Sequence, residues 1–293
     1  MKRALFLLLA LSLLSAGSPQ NPRFDLVIQG GSIVDGTGAP AFTADLGVRD
    51  GRIAAIGDLT GAAAGTVIDA AERVVTPGFI DAHAHGDPRR TPDFPNEVAM
   101  GVTTLLLGQD GSSSVDPDDP DTWFRRNASL ATGPNVAYLA GHAGIRRCAG
   151  VPMGSAAEGA RLQGMESAMD TLMTAGCFGL STGLEYRPGT FASRAELAAI
   201  ARPVGRHGGV VMSHVRDEDN AGIEGSLQEL LDQGRDGDTA VHVSHIKVVY
   251  GKGPRRAEEV LALLDDARRE SVRVTADIYP YTASYTGIAI LFP

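Results

Sequence analysis

Thr76-Pro77-Gly78-Phe79-Ile80-Asp81-Ala82-His83-Ala84-His85-Gly86-Asp87-Pro88 is the stretch on which the fold turns. Pro77-Gly78 is a break on its amino-terminal side, and Gly86-Asp87-Pro88 is a break on its carboxy-terminal side. Between the breaks a short apolar run ends in two histidines. Side chains alternate along a strand, so residues two apart share a face. His83 and His85 can therefore aim two imidazoles at one cation from a single strand end. Alone, such a pair is a weak signal; its place at the end of an apolar run gives it weight.

Downstream, short apolar runs alternate with helical stretches. The runs are Gly78–His85, Thr103–Gly108, Val136–Gly141, Phe178–Leu184, Gly209–His214, Ala240–His245 and Val272–Ile278. Arg161–Ala175, Arg194–His207 and Arg255–Arg269 read as helices between the later ones. Strands alternating with helices imply an α/β fold with a parallel sheet. Seven runs fall one short of a closed (β/α)8 TIM-type barrel. Polar residues recur where runs end: His83, His85, Asp110, His142, Glu185, His214, His245 and Asp277. An open doubly wound sheet also gathers ligands at strand C-termini. Recurrence on most strands favours the barrel, whose C-terminal face carries catalytic residues.

His214 and His245 each close an apolar run after a serine. His242 is an odd number of residues from His245, so it is expected on the opposite side, among the outer helices. His207 sits at a helix end, where a cation suits the macrodipole. His142 is open to two readings, substrate contact or an internally hydrogen-bonded histidine. Four histidines on three strand ends need carboxylate company to hold a borderline metal. Asp110 is a candidate ligand or a turn residue before Gly111. Glu185 is a candidate ligand or a surface partner of Arg187. A bridging anion would hold two divalent ions about 3.5–4 Å apart. One ion and two ions remain equally open.

Upstream, residues 24–77 form a different, all-β unit. Phe24–Gln29, Ser32–Val34, Leu46–Val48, Arg52–Ile56 and Thr66–Ile68 read as short strands. Gly30-Gly31 and Asp35-Gly36 are turn signals, and Asp50-Gly51 is a strong hairpin signal. Before this unit, Met1-Lys2-Arg3 leads an apolar run from Ala4 to Leu14, then Ser15-Ala16-Gly17. That is the pattern of a signal peptide, with cleavage expected after Gly17. The run is shorter than the ~20 residues of a membrane span. Residues 1–17 are therefore expected to be removed from a periplasmic or secreted protein without stable membrane association. An uncleaved anchor is the competing reading.

The 293 residues are 43% hydrophobic and 21% charged, a globular balance. A formal charge of -9 makes nucleic acid a poor partner. Cys148 and Cys177 are too few for a disulfide framework or a thiolate cluster, though they permit one bridge. The oligomeric state is not legible.

Several segments, in order, carry a resemblance. They are Asp25-Leu26-Val27-Ile28-Gln29-Gly30-Gly31, the Thr76–His85 stretch, Gly101-Val102-Thr103-Thr104, Gly179-Leu180-Ser181-Thr182-Gly183, Ser213-His214-Val215-Arg216-Asp217-Glu218, Ser244-His245-Ile246-Lys247 and Tyr279-Pro280-Tyr281-Thr282-Ala283-Ser284. Together they resemble the amidohydrolase superfamily, and within it the N-acyl-D-amino-acid deacylases (D-aminoacylases). The resemblance implies a (β/α)8 barrel over residues 78–293, a small β-sandwich part over 24–77, and zinc-dependent hydrolysis of a non-peptide C–N bond. It implies metal ligation by His83, His85, His214 and His245, joined by Asp110 and Glu185. Lys247 and Tyr279 match residues that hold the substrate carboxylate, and Arg216 is a further substrate-binding candidate. The expected partner is a small N-acylated amino acid or related amide.

Two departures accompany it. Many deacylases carry a cysteine ligand where this chain has Asp110 after Gly108-Gln109, and a hard carboxylate can shift metal preference. No lysine stands where other superfamily members bridge two metals, and Glu185 offers a carboxylate instead. The family's general-base aspartate comes after the eighth strand, so the chain reads as a fragment of a longer protein. Asp277 is the one substitute base on offer, and it reads as structural. His142 is then the expected oxyanion stabiliser. The alternatives are a cyclic-amide hydrolase of the hydantoinase or dihydroorotase kind, or an inactive metal-binding remnant.

Overall fold

A computed structural model describes residues 24–287, in two units that divide between Pro77 and Gly78. The leader and its cleavage position lie outside the described residues. No helix among the described residues is long and apolar enough to cross a membrane.

In the first unit β1 (Phe24–Ile33), β2 (Phe42–Arg49), β3 (Arg52–Gly57), β4 (Ala64–Asp69) and β5 (Val74–Val75) form one mixed sheet. Asp50 and Gly51 have φ of 52° and 67°. Two positive φ values in a two-residue loop match the right-handed twist of the β2–β3 hairpin. Gly30-Gly31, expected as a turn, instead lies inside β1, where the pairing register with β2 shifts between Ile28 and Gly31. Gly30 takes φ 69°, so it absorbs an irregularity within a strand rather than reversing the chain. A sandwich needs two packed sheets. The described residues of this unit supply one, with Phe24, Val27, Ile33 and Leu46 buried and Ile53, Ile56, Val67 and Ile68 exposed.

The second unit alternates strands and helices. β6 (Phe79–Asp81), α1 (Pro95–Ala99), β7 (Val102–Leu107), α2 (Pro120–Asn127) and β8 (Asn135–Tyr138) come first. β9 (Ala140–Gly141), α3 (His142–Cys148), α4 (Gly159–Ala175), β10 (Gly179–Gly183) and α5 (Arg194–Arg206) come next. β11 (Val210–His214), α6 (Ile223–Gly237), β12 (Ala240–Val243), α7 (Pro254–Arg269) and β13 (Val274–Ala276) complete it. All pairings are parallel, β6-β7-β8 in one ladder and β9 to β13 in the other. Only Leu139, fully buried, separates β8 from β9, so the two ladders share one passage of chain. The seven expected runs thus stand side by side in chain order. Among the described residues no ladder joins β6 to β13, so the strands form an open α/β arrangement of two parallel sheets, as expected of a barrel lacking its eighth strand.

The helices bury apolar stripes on the strands. Met165, Met169 and Leu172 of α4, Leu197, Ile200 and Val204 of α5, and Leu227 and Leu230 of α6 join Leu180, Val211 and Val241 in one core. Each such side chain contributes about 1.5–3 kcal/mol when fully buried. Ser193 caps α5 by accepting the Glu196 N–H at 3.2 Å. His207 ends the same helix, as expected, and its ring lies 3.2 Å from Asp170. Cys148 and Cys177 are both free thiols; burial pushes Cys177 up to about 12.

Candidate metal centre

The ends of β6, β7, β10, β11 and β12 all deliver polar side chains to one place. Parallel strands in register make that possible: Gly183 pairs with His214 at the ends of β10 and β11. Asp110 reaches the cluster from a tight turn after β7, where Asp110 and Gly111 take φ of 54° and 76°. Gly183 lets that turn approach, since a Cβ there would lie 2.2 Å from the Asp110 carbonyl oxygen.

Six expected ligands converge. Asp110 Oδ1 lies 3.6 Å from His83 Nε2 and 3.5 Å from His245 Nε2, and Asp110 Oδ2 lies 3.1 Å from His85 Nε2. His214 Nδ1 faces His245 Nε2 at 3.0 Å, and His214 Nε2 lies 2.8 Å from Glu185 Oε2. The donors form three overlapping groups: His83, His85 and Asp110; Asp110, His214 and His245; Glu185, His214 and Glu218. Within each group the ligand atoms all lie within 4.8 Å of one another.

This donor set fits a divalent ion. Asp110 Oδ1 is buried and has no hydrogen-bond partner, an arrangement a cation would satisfy. Imidazole nitrogens with carboxylate oxygens are ligands of zinc. Protons compete for the same lone pairs. Burial opposes a charge on His83, but Asp110 and Asp277 outweigh it and raise His83 to about 9. Burial likewise opposes ionisation of Asp110, and His245, His83 and His85 hold it well below the ordinary carboxylate range.

The cluster opens into a cavity of about 1020 Å³ that Lys247 and Tyr279 also line. Lys247 Nζ sits 2.6 Å from Glu218 Oε2, 2.9 Å from His245 Nδ1 and 5.8 Å from the centre of the Tyr279 ring. Glu218, 7% exposed, lies 3.0 Å from His245 Nδ1. Sequence reasoning passed over it, although it lies just beyond the His214 strand end in the same Ser213–Glu218 segment. Burial raises its carboxyl, but His245, His214 and Lys247 more than reverse this.

Three expectations are corrected. Arg216 does not enter the cavity: Nε lies 2.9 Å from Glu229 Oε2, and the remaining nitrogens donate to the Thr190 and Ala192 carbonyls. It ties the chain after β11 to α6 and to the turn after β10, a structural duty. His142 is 1% exposed, with Nε2 2.8 Å from Glu196 Oε1; the same carboxylate takes Arg146 and the Ala157 N–H. It belongs to a buried ion network, and the oxyanion role has no support from its placement. His242 does not face the outer helices. Its ring meets Asp277 and Thr275, at 2.8 and 2.7 Å. The alternation argument fails because β12 ends at Val243 and His245 takes φ 37°, which turns its side chain to the same side.

No protein-family model matches the chain. The chain is 36% identical over 292 residues to an N-acyl-D-glutamate deacylase of Alcaligenes xylosoxydans xylosoxydans, covering 92% of this chain and 59% of that protein. It is 36% identical over 285 residues to a D-aminoacylase of the same organism, covering 90% and 58%. Among solved structures, it superposes on an N-acyl-D-glutamate deacylase of Bordetella bronchiseptica, solved with zinc and a phosphonate inhibitor, with a TM-score of 0.81 at 36% identity. That match covers 89% of this chain and 59% of the other. A D-hydantoinase at 19% identity and a TM-score of 0.61 shares the fold alone. The chain therefore spans about 59% of the length of the deacylases it matches.

Proposed function

Because the chain belongs, over the segment it spans, to the N-acyl-D-amino-acid deacylase family of the amidohydrolases, we propose that the protein hydrolyses the amide bond of an N-acyl-D-amino acid at a divalent-metal site. The carrying observation is the convergence of His83, His85, Asp110, Glu185, His214 and His245 beside the Lys247 ammonium. These six residues are the proposed ligands of zinc, the metal present in the Bordetella enzyme. Zinc, when bound, supplies Lewis acidity and lowers the pKa of a water from 15.7 to about 7.

The chain's own residues do the rest. Lys247 offers a cation, and Tyr279 a phenol, to the free carboxylate of the substrate. Glu218 Oε2 lies 2.6 Å from the ammonium, so the cation does not have to be ordered when substrate arrives. Glu185, at 2.8 Å from His214, presents a part-exposed carboxylate at the cavity side of the cluster.

Zinc-loaded full-length protein offered N-acyl-D-amino acids, their L-enantiomers and hydantoins should release free amino acid from the D series. Turnover of hydantoins alone, or of nothing, overturns the proposal. Lys247→Ala should raise KM by tenfold or more with a smaller change in kcat, measured on the same substrates.

We further propose export to the periplasm or beyond, supported by the basic, apolar and small-residue order of residues 1–17. Amino-terminal sequencing of the mature protein should begin at Ser18; a protein that retains Met1 refutes cleavage.

A further inference from the structure

Asp277 lies just past the end of β13, and none of its contacts is explained by substrate or by the ligand cluster alone. Its Oδ2 is 3.0 Å from His83 Nδ1 and 2.8 Å from His242 Nε2. Its Oδ1 accepts the backbone N–H of His245 at 2.6 Å. On the far side of His242, Nδ1 is 2.7 Å from Thr275 Oγ1. One side chain therefore touches the ends of β6, β12 and β13 together.

Donor and acceptor capacity fixes the proton positions. An ionised carboxylate only accepts, so both ring nitrogens facing Asp277 carry hydrogens. His242 then has its proton on Nε2, and its Nδ1 accepts from the Thr275 hydroxyl. His83 has a proton on Nδ1, so Nε2, 3.6 Å from Asp110 Oδ1, is the nitrogen left to offer a lone pair to a metal.

We propose that Thr275, His242 and Asp277 form a positioning relay that fixes the tautomer and ring orientation of His83 and the backbone of His245. The relay rests on the metal-centre reading above and extends it to residues outside the six proposed ligands. Asp277 acts here as an orienting acceptor. With three N–H donors on its two oxygens, it is poorly placed to take a proton from a reacting water. His242 has a matching duty: it completes the donor set of Asp277, and Thr275 fixes which of its nitrogens donates. Outer partners of metal-bound histidines raise ligand basicity and hold ring orientation, and their loss typically costs 10–100-fold in metal affinity or activity.

The test uses full-length protein with 15N-labelled histidine. In the zinc-loaded protein His83 should be protonated on Nδ1. His242 should be protonated on Nε2 with or without zinc. His242→Phe should weaken zinc binding 10–100-fold in a competition titration with a chelating dye, and His242→Gln, which keeps an N–H donor, should recover much of the loss. A His242 protonated on Nδ1 alone, or a folded His242→Phe with unchanged zinc affinity, overturns the relay. If His242→Phe does not fold, the His242 tautomer in the unaltered protein decides. If the unaltered protein binds no zinc, the metal-centre reading fails, and the His242 tautomer still reports on the relay by itself.

Discussion

Asp110 Oδ1 stands 3.5 Å from His245 Nε2, a carboxylate and an imidazole from strands 135 residues apart with no hydrogen bond between them. His83 Nε2 lies 3.6 Å from the same carboxylate oxygen. Asp110 is thus the one side chain shared by the histidine pair after β6 and the histidines at the ends of β11 and β12.

Asp110→Ala should therefore lose zinc from both groups at once. Metal content after dialysis, read by atomic emission, should fall below half of that of the unaltered protein. His85→Ala, whose side chain is 65% exposed, should cost less. Equal metal retention by Asp110→Ala and the unaltered protein contradicts the assignment.

Zinc binding and protons should oppose each other over a defined window. His83 is raised to about 9 in the metal-free protein, because its two aspartates outweigh the burial that opposes its charge. Its protonated form stabilises the metal-free fold fully below the unfolded value near 6.5, and this contribution is lost as pH rises through about 9. A zinc ligand must be neutral, so binding displaces that proton. Zinc affinity should climb with pH up to about 9 and then level off, with proton release measurable by calorimetry in buffers of different ionisation enthalpy. A flat profile across that window contradicts it.

Glu196 should matter for stability and not for metal. It is fully buried and serves His142, Arg146 and the Ala157 amide. Burial disfavours its charge, but those partners hold it below the ordinary range; burial also pushes His142 down. Depressed values on both groups mean the unfolded chain binds more protons in acid. The network's contribution is present near neutrality, then lost as pH falls below 6.5 and on through the Glu196 titration. Glu196→Ala strands a buried Arg146 charge, at a cost of about 3–5 kcal/mol. Urea unfolding should show this loss, while zinc content stays within twofold. A variant as stable as the parent contradicts the network's role.

Much of the fold and the site was legible in residue order. The alternation of apolar runs and helices located the passages that carry β6 to β13, most clearly β10, β11 and β12, where burial on both faces leaves a continuous apolar signature. The expected ligands His83, His85, His214 and His245 could be picked out because each lies at or just beyond the end of such a run. Gly30-Gly31 misled, since the same dipeptide serves a turn or an irregularity within a strand, and only the pairing of β1 with β2 distinguishes them.

What the amino-acid order determined by itself is local: which segments carry strands, and that His83 and His85 follow one strand closely enough to reach one place, although β6 ends at Asp81 and strand alternation does not orient them. The folded chain decided the long-range choices. It turned Arg216 away to Glu229 and brought Glu218 in to Lys247, although the two residues are neighbours in one short segment. It set His142 against Glu196, and it brought Asp277 to His83 across 194 positions. Those pairings depend on the register between strands and on single turn dihedrals such as the 37° φ of His245. A side-chain direction set by one torsion, and a meeting set by strands far apart in the chain, leave no periodic trace in composition or spacing.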